Sequence, residues 1–131
     1  MVRFGIPNDF QSTKRIRIGP WYGDPEDAYA GHSCRRLETC VTEFGAQGLE
    51  LDATLLTWGT DLIMQDGRWS KVNARGYLKR ARVKNPFQLR LNAYRVLLTR
   101  GRDACVVFVP ETPLLNETFR YLKAVGMKTM A

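Results

Sequence analysis

The 131 residues suffice for one domain with a hydrophobic core, and contents of 44% hydrophobic and 25% charged residues are ordinary for a soluble globular protein. No stretch approaches the ~20 apolar residues of a membrane helix, and the N-terminus lacks the apolar run of a signal peptide, so we expect a cytoplasmic protein without a membrane partner. The three cysteines are expected to be reduced thiols, and no metal site is expected.

The net charge of +7 is unevenly distributed along the chain. Between Asp66 and Asp103 there is no acidic residue, and this interval contains 11 of the 20 Lys and Arg residues. A surface of single sign attracts polyanions and binds phosphates, although a solvated face that aids solubility is the alternative. We therefore expect an interface for single-stranded DNA or RNA, in which Trp69 stacks on a base. The residues assigned to it are Arg68, Trp69, Lys71, Arg75, Lys79, Arg80, Arg82 and Lys84.

The N-terminal part of the chain is polar and rich in turn-forming residues. Residues 1–36 are predicted to be irregular, with a short strand at 14–18 that Gly19-Pro20 ends. Residues 37–44 are predicted to form a strand because three of them are β-branched. We expect residues 37–131 to form the single domain of the chain.

The middle of the chain predicts a strand, a hairpin and a connection. Residues 53–58, ATLLTW, form a short apolar run typical of a buried strand. Residues 61–70 are predicted to be a hairpin that turns at Asp66-Gly67, a preferred pair for tight turns. Residues 71–85 form a basic connection.

The C-terminal part predicts a helix, a strand and a second helix. Asn85-Pro86 is a good helix start, the helix is expected to reach residue 100, and Gly101 stops it. An apolar strand at 104–109 and a helix at 113–125 follow. This alternation predicts an α/β fold, with a mostly parallel sheet of 37–42, 53–58 and 104–109 flanked by helices.

Two segments stand out by their order. The first is residues 42–52, TEFGAQGLELD, followed by the ATLLTW strand; the second is residues 90–109, RLNAYRVLLTRGRDACVVFV. Together they resemble the last two motifs of superfamily 1 helicases of the UvrD-like type. Their residues are most similar to those of a bacterial DNA/RNA helicase family related to the Schlafen helicase domains, in which Tyr-Arg-Val-Leu-Leu-Thr-Arg-Gly recurs.

The resemblance implies a RecA-like domain with the P-loop NTPase fold, acting as the second motor domain of an ATPase. ATP is the implied cofactor. By the same resemblance, Thr42 lies near the nucleic-acid backbone, Gly48 and Glu50 belong to the nucleotide-binding motif, and Glu50 approaches the ribose. Arg100 corresponds to the catalytic arginine that reaches the γ-phosphate across the domain cleft.

The helical pattern adds an argument for Arg100. At ~100° per residue, Leu89, Ala93 and Val96 fall on one stripe of the predicted helix, and Arg100 continues it. A guanidinium in such a place needs an anionic partner because it stays charged at any relevant pH. A phosphate, an internal carboxylate or solvent could satisfy it.

The sequence contains no G-x-x-x-x-G-K-[ST] loop to hold the β- and γ-phosphates and Mg²⁺. We therefore expect a second RecA-like domain with that loop, in cis or in trans, to supply them, and no ATPase activity from this chain by itself. The alternative is a stand-alone module that binds nucleic acid or a protein without catalysis. A nuclease built on Glu50 and Asp52 is disfavoured, because Thr54 stands where such sites place a lysine.

Overall fold

The computed structural model describes residues 16–23, 25, 33–74 and 83–130. The chain divides into two units, residues 1–49 and 50–131. The first unit contains a short helix, α1 (Ile18–Gly23), and a 3-10 turn at Cys34–Arg36. The second unit contains the strands and the longer helices.

Two predictions for the first unit are wrong. Residues 14–15 of the predicted strand lie outside the described residues, but 16–17 are irregular and Ile18 begins α1. The fixed φ of Pro20 suits the first turn of a helix, where its missing N–H has no partner to lose. Residues 37–44 form turns and irregular backbone instead of a strand. The carbonyl and hydroxyl oxygens of Thr42 accept the N–H groups of Ala46 and Gly45, at 3.1 and 3.5 Å, so local hydrogen bonds outweigh the β-propensity of this segment.

The second unit has a mixed α/β architecture, as the sequence predicts. Strands β1 (Leu51–Thr57) and β4 (Gly101–Phe108) pair in parallel. Strands β2 (Ile63–Gln65) and β3 (Arg68–Ser70) form the predicted antiparallel hairpin. At its turn Asp66 and Gly67 have φ values of 51° and 73°, and this left-handed pair matches the twist of the flanking strands.

Two helices complete the second unit. Helix α2 spans Pro86–Leu98 and starts where the sequence predicts, with the Asn85 side chain accepting the Gln88 N–H at 3.0 Å and Pro86 in the first turn. Helix α3 spans Asn116–Ala124 and follows a 3-10 turn at Pro113–Leu115. The parallel pair β1–β4 with these helices confirms a mixed α/β fold, whereas 37–42 contributes no strand to it.

The core of the second unit is built around aromatic residues. Trp58, Leu62, Tyr94 and Leu115 are each less than 7% exposed and pack together. The predicted buried stripe of α2 is wrong, since Leu89 is 45% and Val96 40% exposed. The side of α2 that faces the core carries Phe87, Leu91, Tyr94 and Leu98, which recur with the same helical spacing.

Candidate functional site

The amino-terminal ends of β1 and β4 lie side by side and bring Glu50 and Arg100 to one edge of the sheet. Leu51 is the register partner of Gly101, and the Leu51 N–H donates to the Arg100 carbonyl oxygen at 3.2 Å. Glu50 and Arg100 therefore directly precede two neighbouring parallel strands. Glu50 is exposed, and Arg100 is half-buried.

Gly101 is required where these two strands meet. The register shifts between Leu51 and Ala53, as in a β-bulge. A Cβ on Gly101 would overlap the carbonyl oxygen of Ala104 and lie 3.2 Å from the backbone nitrogen of Thr54. Gly101 is the first residue of β4, and the glycine is therefore explained by the bulge, which brings the Ala104 carbonyl of the same strand close to it.

The turn after α2 fixes the backbone of Arg100. The helix ends at Leu98, so Arg100 lies beyond it rather than in its last turn. The Arg100 N–H donates to the carbonyl of Leu97 at 3.3 Å, and the Thr99 hydroxyl donates to that of Val96 at 3.0 Å. A cation is favoured here, because the carbonyls at the C-terminal end of a helix carry partial negative charge.

A second set of contacts fastens the carboxyl end of β1 to α2. The Tyr94 hydroxyl donates to Asp61 Oδ1 at 2.7 Å and accepts the Gly59 N–H at 3.1 Å. Asp61 Oδ2 lies 2.9 Å from Arg90 Nη1, and the Arg90 side chain is only 15% exposed. The Trp58 indole N–H donates to the Leu62 carbonyl at 2.7 Å, which closes the loop after β1. Strand β1 is thus held at both ends by the segment that carries Arg100.

Burial raises the pKa of Tyr94 well above its ordinary value, and the charge and hydrogen bond of Asp61 raise it further. The phenol is therefore neutral over the physiological range. In this form it donates to the carboxylate and accepts from the backbone at the same time, so no buried charge is added to the Arg90–Asp61 pair.

Asp52, on β1, takes part in an exposed ion cluster. Its Oδ1 lies 2.6 Å from Arg102 Nη2, and the same guanidinium bonds Asp103. Bonding to Asp103 and the charge of Asp52 raise the pKa of Arg102. The carboxylate of Asp52 thus links β1 to β4, and within the described residues no group of three or more His, Cys, Asp or Glu is placed to hold a metal ion.

The two remaining motif residues lie in the first unit. Thr42 uses its hydroxyl and carbonyl oxygens to begin the turns at 43–48, as described above. Gly48 has a φ of 80°, in the left-handed region that favours glycine. The motif residue Gly48 is therefore explained locally by the shape of the turn that leads to Leu49 and Glu50.

The chain matches a protein-family model. The model of the Schlafen group 3 DNA/RNA helicase domain matches residues 5–111, which is most of the chain. The chain belongs to this family. No curated protein and no solved structure matched the chain. Within the described ranges, no helix of this Schlafen group 3 domain is long and apolar enough to cross a membrane.

The predicted basic interface of the Schlafen group 3 domain is described only in part. Arg68, in β3, and Lys71, directly after β3, are exposed, and Lys84 is exposed just before α2. Trp69 is half-buried, stacked on Trp58 with ring centroids 5.7 Å apart. The other predicted members lie outside the described residues; they are Arg75, Lys79, Arg80 and Arg82.

Sequence reasoning missed the contacts of Asp61, Arg90 and Tyr94. Arg90 and Arg102 were counted among the unopposed cations, but each is paired with a carboxylate outside the interval or at its edge. The only sequence signal was the buried tyrosine of the Tyr-Arg-Val-Leu-Leu-Thr-Arg-Gly segment, which has a polar tip that needs a partner. That partner is 33 residues away in the sequence and could not be found from spacing.

Proposed function

We propose that this chain is the second RecA-like motor domain of a superfamily 1 helicase-type ATPase. Residues 37–131 would form the domain, with 1–36 outside it. The observation that carries the proposal is the hydrogen bond between the Leu51 N–H and the Arg100 carbonyl, at 3.2 Å. Because of it, Glu50 and Arg100 occupy one edge of the sheet on a rigid backbone.

The residues at this edge suit the ribose and γ-phosphate parts of ATP. Arg100 provides a planar guanidinium that remains charged, and Glu50 provides an exposed carboxylate that can accept hydrogen bonds from ribose hydroxyls. ATP supplies the γ-phosphoryl group, whose oxygens gain charge during transfer. Arg100 would bind those oxygens and stabilise that charge, while Glu50 would orient the sugar.

The rest of the nucleotide site must come from elsewhere. The chain has no phosphate-binding G-x-x-x-x-G-K-[ST] loop, so we assign the β-phosphate and Mg²⁺ contacts to a first RecA-like domain, in cis or in trans. Gly48 would set the turn that delivers Glu50. Thr42 and the basic interface would bind the backbone of single-stranded DNA or RNA, which agrees with the helicase-domain family.

The test is ATP turnover in the protein or complex that joins this chain to its phosphate-binding domain. Arg100→Ala should lower kcat by about 10³-fold or more, the effect of removing an arginine finger. Arg95→Ala is the matched control, because Arg95 is an exposed arginine on α2, five residues before Arg100. Turnover by the Arg100→Ala protein that equals the control would reject the proposed role.

The isolated chain gives a second measurement. It should not hydrolyse ATP above a no-protein control, and any ATP binding should be no tighter than millimolar, or ~4 kcal/mol. Turnover by the isolated chain that is lost on Arg100→Ala would show that no second domain is needed. Nucleic-acid binding without turnover in any complex would instead favour a binding module.

A further inference from the structure

We propose that Trp69 and Tyr121 form a stacking platform for single-stranded nucleic acid, with the exposed cation Arg120 next to it on α3. This inference rests on the proposed nucleic-acid role and extends it to α3, outside the basic interval of the sequence. It also names the parts of the strand that are bound: an unpaired base on the rings and a neighbouring phosphate on Arg120.

The two rings form the outer end of an aromatic row. The Trp69 and Tyr121 centroids are 5.2 Å apart with an edge-on geometry, and Trp69 stacks on Trp58 at 5.7 Å. Trp58 is 2% exposed, whereas Tyr121 remains 40% exposed. The row therefore starts in the core and ends at the surface, and its last ring keeps an open side on which a base can stack.

The platform is rigid because hydrogen bonds join α3 to the hairpin. The two carboxylate oxygens of Glu117 accept the N–H groups of Asp66 and Gly67, at 3.0 and 2.8 Å. The hydroxyl oxygen of Thr118, fully buried, accepts the Met64 N–H at 2.8 Å. Trp69 and Tyr121 are therefore held at a fixed spacing before a ligand arrives, which lowers the entropy cost of binding.

The charge next to Tyr121 suits a phosphate. Arg120 directly precedes Tyr121 in α3 and is exposed, and among the described residues no carboxylate lies within ion-pair distance of it. Residues 118–131 contain no acidic residue, and both oxygens of Glu117 already bind backbone N–H groups. An exposed ring beside an unpaired cation is a combination that binds single strands irrespective of sequence.

The experiment is a fluorescence-anisotropy titration of the full chain with a labelled oligothymidine and with an oligouridine of equal length, at two salt concentrations. Tyr121→Ala should weaken binding roughly 5- to 100-fold, the range for loss of a stacked base. Tyr121→Phe keeps the ring and should bind like the unchanged protein. The pair separates ring stacking from any hydroxyl contact, and circular dichroism checks that both variants fold.

A charge variant tests Arg120. Arg120→Glu should weaken binding, and removal of one phosphate contact should reduce the slope of log K against log salt by about 0.7. Arg95→Glu, the same charge reversal on α2, is the matched control and should have the smaller effect. The tryptophan emission should fall on binding, and Trp69→Phe should remove that change, because Trp21 and Trp58 are both buried.

Two failures are distinguishable. If the unchanged protein binds neither strand at low salt, the proposed nucleic-acid role fails. If binding persists in Tyr121→Ala and in Arg120→Glu but is lost in the Lys79→Glu, Arg80→Glu, Arg82→Glu protein, the nucleic-acid role stands. The platform is then overturned, and the basic interval is the binding surface.

Discussion

The backbone N–H of Leu51 lies 3.2 Å from the carbonyl oxygen of Arg100, and this hydrogen bond joins the two motif segments of the chain. At the other end of β1, the Tyr94 hydroxyl binds both Gly59 and Asp61. A strand tied at both ends to one helix–strand segment moves with it as a unit. Substitutions that break the hydrogen bonds at either end of β1 should therefore affect the edge of the sheet that carries Arg100.

Gly101→Ala should destabilise the second unit by about 1–3 kcal/mol, because the added Cβ overlaps the Ala104 carbonyl of the same strand and distorts the bulge at the start of β4. Urea unfolding followed by circular dichroism measures the loss. Gly19→Ala is the control, since a Cβ at that position meets nothing within 4 Å. Equal unfolding midpoints for the two variants would contradict the close-approach explanation.

Tyr94→Phe should cost about 1–3 kcal/mol, because it leaves the Gly59 N–H without its acceptor and removes one donor from Asp61. The same urea titration applies. Tyr121→Phe removes a hydroxyl from a 40% exposed side chain and should change the free energy of unfolding by less than about 0.5 kcal/mol. A Tyr94→Phe protein as stable as Tyr121→Phe would show that the network adds nothing.

Alkaline pH should destabilise the fold through Tyr94. Burial and Asp61 raise the pKa of the folded phenol above its ordinary value near 10, so the folded state keeps a proton that the unfolded state releases. The stabilisation is complete below pH ~10 and is lost as the pH rises toward the folded pKa. Thermal unfolding at a series of alkaline pH values should show this decline, and it should be weaker in Tyr94→Phe.

Glu117→Gln should loosen the hairpin turn. The carboxylate accepts the N–H groups of Asp66 and Gly67, and the amide that replaces it has a single acceptor oxygen, so one bond is lost at a cost of about 1 kcal/mol. Amide hydrogen exchange at residues 66 and 67 should accelerate. Glu111→Gln, at an exposed position before α3, is the control. Unchanged exchange at both amides would mean that the turn is held by its backbone preferences alone.

Local signals predicted much of the second unit. The Asp66-Gly67 turn, the Asn85-Pro86 helix start and the apolar runs of β1 and β4 each reflect a preference that a few adjacent residues determine. The strand prediction for 37–44 was wrong because the turn-forming hydrogen bonds of Thr42 compete with β-propensity, which depends strongly on context.

Periodicity was misleading for α2 because this helix has two apolar stripes. Leu89 and Val96 recur with the same spacing as Leu91 and Leu98, and spacing cannot say which stripe meets the core. For the edge that carries Glu50 and Arg100, the sequence showed only two separate motif segments. Their junction depends on the parallel register of Leu51 with Gly101, which no single segment encodes.

The register of β1 with β4 also has a consequence for biosynthesis. Leu51 and Gly101 pair across fifty positions of sequence, and the connection contains the hairpin and α2. During translation the apolar run of β1 therefore emerges well before the strand that pairs with it, and the loop entropy must be lost before the pairing contributes. A nascent chain that stalls before residue 108 leaves that edge of β1 open, which is a condition that favours aggregation and chaperone binding.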